Sequence, residues 1–429
     1  MLPRGYLVTV RLLTVFRAAF VALASSMAIV PILGTPYGGD DLINHNTWPN
    51  LGGLGHSLSF GWQATGEWIT NQGRFFPGSF ALMATVWTEV TNRPAYKLLL
   101  VVLALAVLSA VAAVAWRLTR SIDLSLIAAA AVTPAFQLRY WFDGWSQFHG
   151  LIPLTVLLML GCFLLADRYV ERGGRQWLLL SLGAWALGAV TYEIVLLALP
   201  ALLLLLSLRG WRDSRFIRVA LGLGGIALGL FLVAIFLRLG KTPVPKYELA
   251  FTSNAPATAW RQFIGALPVS QYWSGGAPEG NLFSEVIPIA VVFLAVPLTW
   301  ALVVRETLPR VGLRRPLQVA GAGLSLAVLP ALLLGLNKEW QASLPPGQAY
   351  LSVGFQSVGL ALLVLGLVWA VGCEWKGGRT WAARIAVASV LALAVACTVA
   401  ANAQFVSGQI PGEQTVKPVR DCKQLPYQC

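Results

Sequence analysis

The chain has 429 residues, of which 57% are hydrophobic and only 11% charged, and its formal net charge is +13. A water-soluble globule carries about a quarter charged residues, so this composition excludes one. The apolar residues come in blocks of roughly 15–22, near the ~20 that a helix needs to cross the hydrocarbon core. The alternating strands of a membrane barrel are absent. Only helices and closed barrels satisfy every backbone group in lipid, which gives an all-α polytopic membrane protein of about eleven transmembrane helices.

The first expected span, Leu12–Leu33, follows Arg4 and Arg11. Basic residues ahead of Ala18–Val30 also fit a signal peptide, but the apolar run continues through Leu33, favouring an uncleaved span. The turn Gly34-Thr-Pro-Tyr-Gly-Gly then opens a long loop, residues 34–95, containing Asp40-Asp41, His45, His56 and Arg74 and an expected interfacial helix at Phe80–Val90. Spans at Tyr96–Trp116, Leu124–Phe136 and Leu151–Ala166 follow, the last two joined by the polar turn Arg139–His149. Trp177–Val190 and Ile194–Leu208 are separated only by Thr191-Tyr192-Glu193. After the span Ile217–Leu237 comes a second loop, 238–285, with Lys241, Lys246, Arg261 and an expected surface helix at Trp260–Leu267. The remaining spans are Val286–Val304, Pro316–Leu336, Leu351–Val371 and Ala382–Ala400, with a loop at 337–350 and a tail at 402–429. No repeat or linker divides residues 1–401, which read as a single transmembrane domain.

The charge follows this topology. With the N-terminus placed in the cytoplasm and loops alternating, nineteen of the 31 basic residues and six of the 18 acidic ones fall inside. The cytoplasmic face then carries the whole +13 and the outer face is balanced, the positive-inside signature. Trp116, Trp177, Trp211, Trp300 and Trp381 at or near span ends supply the aromatic belt. The basic excess is therefore topological, and nucleic acid is not an expected partner. The C-terminus lies outside by the same count. Cys162, Cys373 and Cys397 fall in spans or at a span end, as small hydrophobes. The spacing of Cys422 and Cys429 in the outer tail allows a disulfide loop in an oxidising compartment.

The outer face is where the polar chemistry collects. Two adjacent carboxylates at the membrane boundary, Asp40 and Asp41, raise one another's pKa unless a cation compensates, which suits a general base or a divalent-ion site; a solvated acidic turn is the simpler alternative. Arg74 is a candidate for anion binding or for pairing with Asp40 or Asp41. Glu193, held in a turn too tight to leave the membrane surface, is either functional or a helix cap. Arg139, Lys241, Lys246 and Arg261 are available to a lipid phosphate, as generic headgroup contacts are. All three histidines lie outside, without metal-ligand spacing.

Gly39-Asp40-Asp41-Leu42 after the first span, Gln72-Gly73-Arg74-Phe75 downstream and Tyr192-Glu193 in a later short turn resemble the GT-C superfamily of integral-membrane glycosyltransferases. The pattern is most similar to the bacterial branch that contains phage-type O-antigen glucosyltransferases. The resemblance implies transfer of a sugar, with inversion, from a polyprenyl-phosphate donor to a glycan, lipid-linked oligosaccharide or glycoprotein acceptor. The reaction would lie on the outer face of a bacterial plasma (inner) membrane. It implies that Asp40 or Asp41 is the base, with a divalent cation (Mg or Mn) held by these acids in some members and none needed in others. His45, Arg74, Arg139, Tyr192, Glu193, Lys241, Lys246 and Arg261 are the expected substrate contacts. The competing reading is a polytopic transporter or a lipid or glycolipid flippase, which repeated halves and midplane charges would favour. The apolar blocks here are largely free of charge.

Overall fold

The computed structural model describes residues 4–38, 40–72, 74–139, 142–239, 248–273, 287–303, 311–374 and 378–408. Lys241, Lys246, Cys422 and Cys429 lie outside the described residues. Among those described, helix is the dominant structure, and the one extended pairing is an isolated bridge between Leu249 and Asn337. Helix α1 (Arg4–Ile29) runs into a 3-10 turn, Val30–Gly34, and α2 (Asp40–Thr47), α3 (Leu54–Gln72) and α4 (Pro77–Glu89) occupy the first long loop. Then come α5 (Arg93–Thr119), α6 (Ile122–Val132), α7 (Leu151–Arg172), α8 (Arg175–Thr191), α9 (Leu199–Leu206) and α10 (Ser214–Arg238). The last third holds α11 (Ala255–Ile264), α12 (Ser270–Trp273), α13 (Ile287–Ala290), α14 (Val296–Leu302), α15 (Arg314–Gly335), α16 (Lys338–Ser343), α17 (Val353–Glu374) and α18 (Gly378–Gly408).

Seven of the described helices are long and apolar enough to cross a membrane, which makes the chain a multi-pass membrane protein: α1, α5, α7, α10, α15, α17 and α18. The other four expected spans are also helical where described, but shorter. They are α6 with the 3-10 turn Thr133–Phe136, then α8, then α9 with its flanking 3-10 turns, and α14 with the π-turn Val291–Ala295.

Small residues set the closest helix pairing. A Cβ on Gly323 of α15 would lie 2.3 Å from Leu363 N, and one on Gly359 of α17 would lie 2.5 Å from Ala327 N. The two backbones touch along this seam, the usual way to gain dispersion contact where lipid offers no hydrophobic drive. The helical hairpins turn sharply. Arg120 is left-handed (φ 57°) at the end of α5, and Ser121 caps α6 by accepting from Leu124 N. Gly173 and Gly174, both at positive φ, join α7 to α8.

The first long loop is more helical than its sequence implies. α3 and α4 pair as a hairpin, with Gly61 close against Phe80 O and Thr88 Oγ1 2.9 Å from Ser57 Oγ. The expected interfacial helix near Phe80–Val90 is therefore a packed one, with Phe80, Ala84 and Trp87 buried. The expected helix near Trp260 is α11, which crosses the end of α15 (Ala259 against Gly335) with Trp260 exposed.

Charges gather at the two ends of the bundle. α5 and α7 run parallel, so Tyr96 and His149 meet at one end, and Arg117 and Asp167 at the other. At 1.5 Å per residue these ends of α5 are about 30 Å apart. At the second end Asp167 takes Arg117 (2.5 Å) and Arg209 (2.7 Å), and Glu171 also takes Arg117. Arg17 is buried there. It pairs with Asp123 at 2.7 Å and donates to the carbonyls of Ala301 and Val303, stitching α1 to α6 and α14. Removing one partner of a buried pair strands the other charge, at a cost of about 3–5 kcal/mol. Arg17→Met should lower the thermal midpoint of the detergent-purified protein markedly, and adding Asp123→Leu should restore most of the loss. An unchanged midpoint in the single variant would refute this role.

Candidate functional site

Asp40 and Asp41 form the first turn of α2, where the unpaired amides of a helix start favour negative charge. Asp41 N donates to Gly38 O, and Gly38 lies so close to Gln147 that a Cβ there would sit 2.5 Å from its amide nitrogen. The turn ahead of the acids thus packs directly on the loop between α6 and α7.

Although adjacent in sequence, the two carboxylates have different surroundings. Asp40 is exposed. Asp41 is wholly buried and accepts from Tyr96 OH at 2.6 Å and from His149 N at 3.3 Å. The same amide lies 3.0 Å from Tyr96 OH. Phe148 (φ 61°), His149 (φ 44°) and Gly150 (φ 78°) are three successive left-handed residues. Two non-glycine residues in that region store backbone strain, and the turn they make aims the His149 amide at Asp41.

Lys97, also buried, lies close enough to act on Asp41 through its charge. Its ammonium donates to Ser146 O at 2.6 Å and sits 5.2 Å from the Tyr96 ring centroid. Asp143 accepts from Ser146 Oγ and Trp145 N, both at 2.9 Å, and faces Arg139 at 3.7 Å. Two buried acids are thereby balanced by two buried cations. Burial pushes the Asp41 carboxyl up to about 7, against the pull of Lys97 and its two hydrogen bonds. Burial likewise raises Asp143, and it raises Asp40, which is open to solvent yet crowded by protein. Arg139 is lowered by burial to about 10.

The remaining expected residues separate into groups. His45 stacks on Tyr37 with ring centroids 4.4 Å apart, and Trp87 and Tyr96 complete an aromatic wall behind α2. Arg74 does not pair with Asp40 or Asp41 by any described contact. Its guanidinium meets Glu193 at 2.5 Å and lies over the Phe76 ring. Both partners keep about a third of their surface exposed (27% and 32%), so this pair faces water. Arg139 is fully inside, donating to Gly265 O and Gln137 O, and presents nothing to a headgroup. Tyr192 is buried, and Arg261, on α11, donates to Leu344 O. Lys97 and Tyr96 are the functional candidates that sequence reading missed. A lysine inside the first turns of an apolar span was the available signal, since ionisable groups at such depth are costly.

Of the two acids expected to hold a divalent cation, Asp40 is the one left open. Both Asp41 oxygens accept from protein donors beside a lysine, and no group of three His, Cys, Asp or Glu residues converges among the described residues. Comparison with known protein families, curated proteins and solved structures finds no match.

A carboxyl near 7 in the folded state and near 3.9 unfolded is stabilising while protonated. That contribution is full below the unfolded value, is lost as pH rises to about 7, and is constant above it. The thermal midpoint of the native protein, measured relative to Asp41→Asn, should therefore fall between about pH 4.5 and about pH 7.5. A difference independent of pH would show that Asp41 is ionised throughout.

Proposed function

We propose that the chain is an inverting membrane glycosyltransferase that moves a sugar from a polyprenyl-phosphate carrier to a cell-envelope glycan or glycoconjugate. The observation that carries this reading is the pairing of a locked, buried Asp41 with an exposed Asp40 at the start of the helix that follows the first membrane-crossing segment. A base must come within hydrogen-bond reach of the proton it removes. Asp41, enclosed by Tyr96, His149 and Lys97, has no open approach, so the base is Asp40 and Asp41 is its anchor. Crowding that raises the Asp40 carboxyl strengthens it as a base.

In the reaction Asp40 takes the proton of the acceptor hydroxyl while that oxygen attacks the anomeric carbon. The carbon–oxygen bond to the carrier phosphate breaks, and the phosphate leaves with the electron pair. A phosphate leaves without protonation when cations meet it, and a half-exposed arginine such as Arg74 is suited to bidentate contact. In this reading Glu193 holds Arg74 in place, eleven spans place the N-terminus in the cytoplasm, and the site faces outward from a bacterial plasma membrane. A transporter or flippase would also use the buried charge set of Asp41, Lys97, Asp143 and Arg139, since such groups line proton paths.

The test is transfer of labelled sugar from a panel of polyprenyl-phosphate hexoses by purified protein in liposomes. Asp40→Asn should lower the rate by about 10²–10⁴-fold without shifting the unfolding midpoint. Full transfer by Asp40→Asn and by the Asp40→Asn, Asp41→Asn double variant would overturn the reading. Carrier flipping without transfer would favour the flippase.

A further inference from the structure

At the end of the bundle opposite Asp40 the arginines divide into two sets. Arg17, Arg117 and Arg209 are paired with Asp123, Asp167 and Glu171. A second set collects where α10 begins, beside the turn between α7 and α8. Arg168, Arg175, Arg212 and Arg218 are all exposed there, and none pairs with a carboxylate among the described residues. Glu171 is taken by Arg117 and Arg120, and Asp213 caps α10 by accepting from Arg215 N, so neither neutralises this set.

The corner is held together by contacts that leave its charge open. Arg215 donates Nη1 to Val170 O (3.3 Å), and a Cβ on Gly173 would stand 3.5 Å from its Cζ. Arg218, nearly one turn further along α10, donates Nη1 to Tyr169 OH (3.2 Å). The Arg168 guanidinium lies over Trp177 of α8, 4.0 Å from the ring centroid. Arg175 opens α8, and Arg212 stands two residues ahead of α10. Trp211 is exposed and packs edge-on to Phe216. Tryptophans in such positions settle at a lipid–water boundary. About one turn deeper, ~5 Å, Leu179 and Leu180 of α8 and Ile217 and Leu221 of α10 are exposed. An apolar, lipid-facing surface therefore begins directly beside the arginines.

α10 is also the least buried of the seven membrane-crossing helices. Besides Arg215 and Arg218, it is fastened to the α7–α8 hairpin by Gly222 against Leu182 and by Trp185 Nε1, which donates to Leu223 O at 3.1 Å.

We propose that this corner binds an anionic bilayer phospholipid, with its phosphodiester on the exposed arginines and its acyl chains along Leu179 and Leu221, and that the lipid ties α10 to the α7–α8 hairpin. Arginine suits the task because its planar fork takes phosphate oxygens two at a time. Charge complementarity selects the headgroup: a zwitterionic one brings an ammonium that four cations repel. The adjoining apolar surface selects a lipid over a free phosphate ester. A basic pocket between membrane helices is the usual form of such a site.

The experiment uses the full chain, delipidated in detergent, and measures binding of dioleoyl phosphatidylglycerol, dioleoyl phosphatidylcholine and water-soluble glycerophosphoglycerol by native mass spectrometry. Phosphatidylglycerol should bind in preference to the other two and raise the unfolding midpoint. A diazirine phosphatidylglycerol in liposomes should label residues 168–180 and 211–221. The side chains of Arg175 and Arg212 make no hydrogen bond or ion pair among the described residues. The Arg175→Gln, Arg212→Gln double variant should therefore keep the lipid-free midpoint. It should weaken phosphatidylglycerol binding by about fivefold per arginine, and Arg168→Gln alone should give about the same fivefold loss. Arg314 and Arg315, exposed at the start of α15, serve as the control for general attraction to a basic face. Arg314→Gln with Arg315→Gln should leave binding unchanged. Equal losses in the two double variants would reduce the corner to that general attraction and overturn the proposal. Equal binding of phosphatidylcholine or of glycerophosphoglycerol, or labelling elsewhere, would overturn it as well.

Discussion

A carboxylate enclosed by protein must be neutralised or hydrogen-bonded, or it drives the structure apart. Asp41 meets that demand with groups drawn from two separate elements. Tyr96 and Lys97 come from the start of α5, and the His149 amide comes from the turn into α7. Satisfying one side chain therefore fixes where α2 sits relative to two membrane-crossing helices. The strain at Phe148 and His149 belongs to the same account, because a relaxed turn would point that amide elsewhere. A nearby Asp143–Arg139 pair repeats the solution, with Lys97 charge-coupled to both acids. The gain is a rigid base to α2 from which Asp40 projects.

The opposite end of the bundle obeys the same rule for a different purpose. Arg17, Arg117 and Arg209 are spent on Asp123, Asp167 and Glu171, which tie α1, α5, α6, α7 and the turn after α9. These bonds cross between helices and leave the acids satisfied. At the Asp40 end Asp40 remains open and two ion pairs, Arg74–Glu193 and Lys338–Glu248, face water.

The membrane class was legible from composition because apolar blocks of span length have few other uses. The helical segments were legible for the same reason, down to the short ones at α6 and α9. The first long loop was not, since α3 mixes Gly, Ser, Thr, Gln and Glu in a pattern without a clean apolar stripe. The acidic pair could be found in sequence, but its division of labour could not: adjacent residues on a helix point about 100° apart, and burial of one depends on where α5 and α7 end. Arg74 offered three partners, and the contact with Glu193 across 119 residues is a property of packing alone. Arg139 looked like a surface cation because nothing local signals the carbonyl of Gly265 that it serves.

Irregular backbone between membrane helices needs partners that lipid cannot supply, and that requirement links the site to the last helix. The segment after α6 leaves its carbonyls and amides inside the protein. Asn402 of α18 donates to Phe136 O and Ala28 O and accepts from Leu138 N, while Gln271 donates to Leu138 O. Gln137 reaches Leu267 O and Ser270. One amide on α18 thus pins the last turn of α1 to the chain that leads to Arg139, Asp143 and His149. Val399, Ala403 and Val406, on the same stretch of α18, wall an apolar groove between α1 and α18. The spacing of α1 and α18, and with it the width of that groove, is therefore set by the same polar contacts that hold the Asp41 enclosure in register.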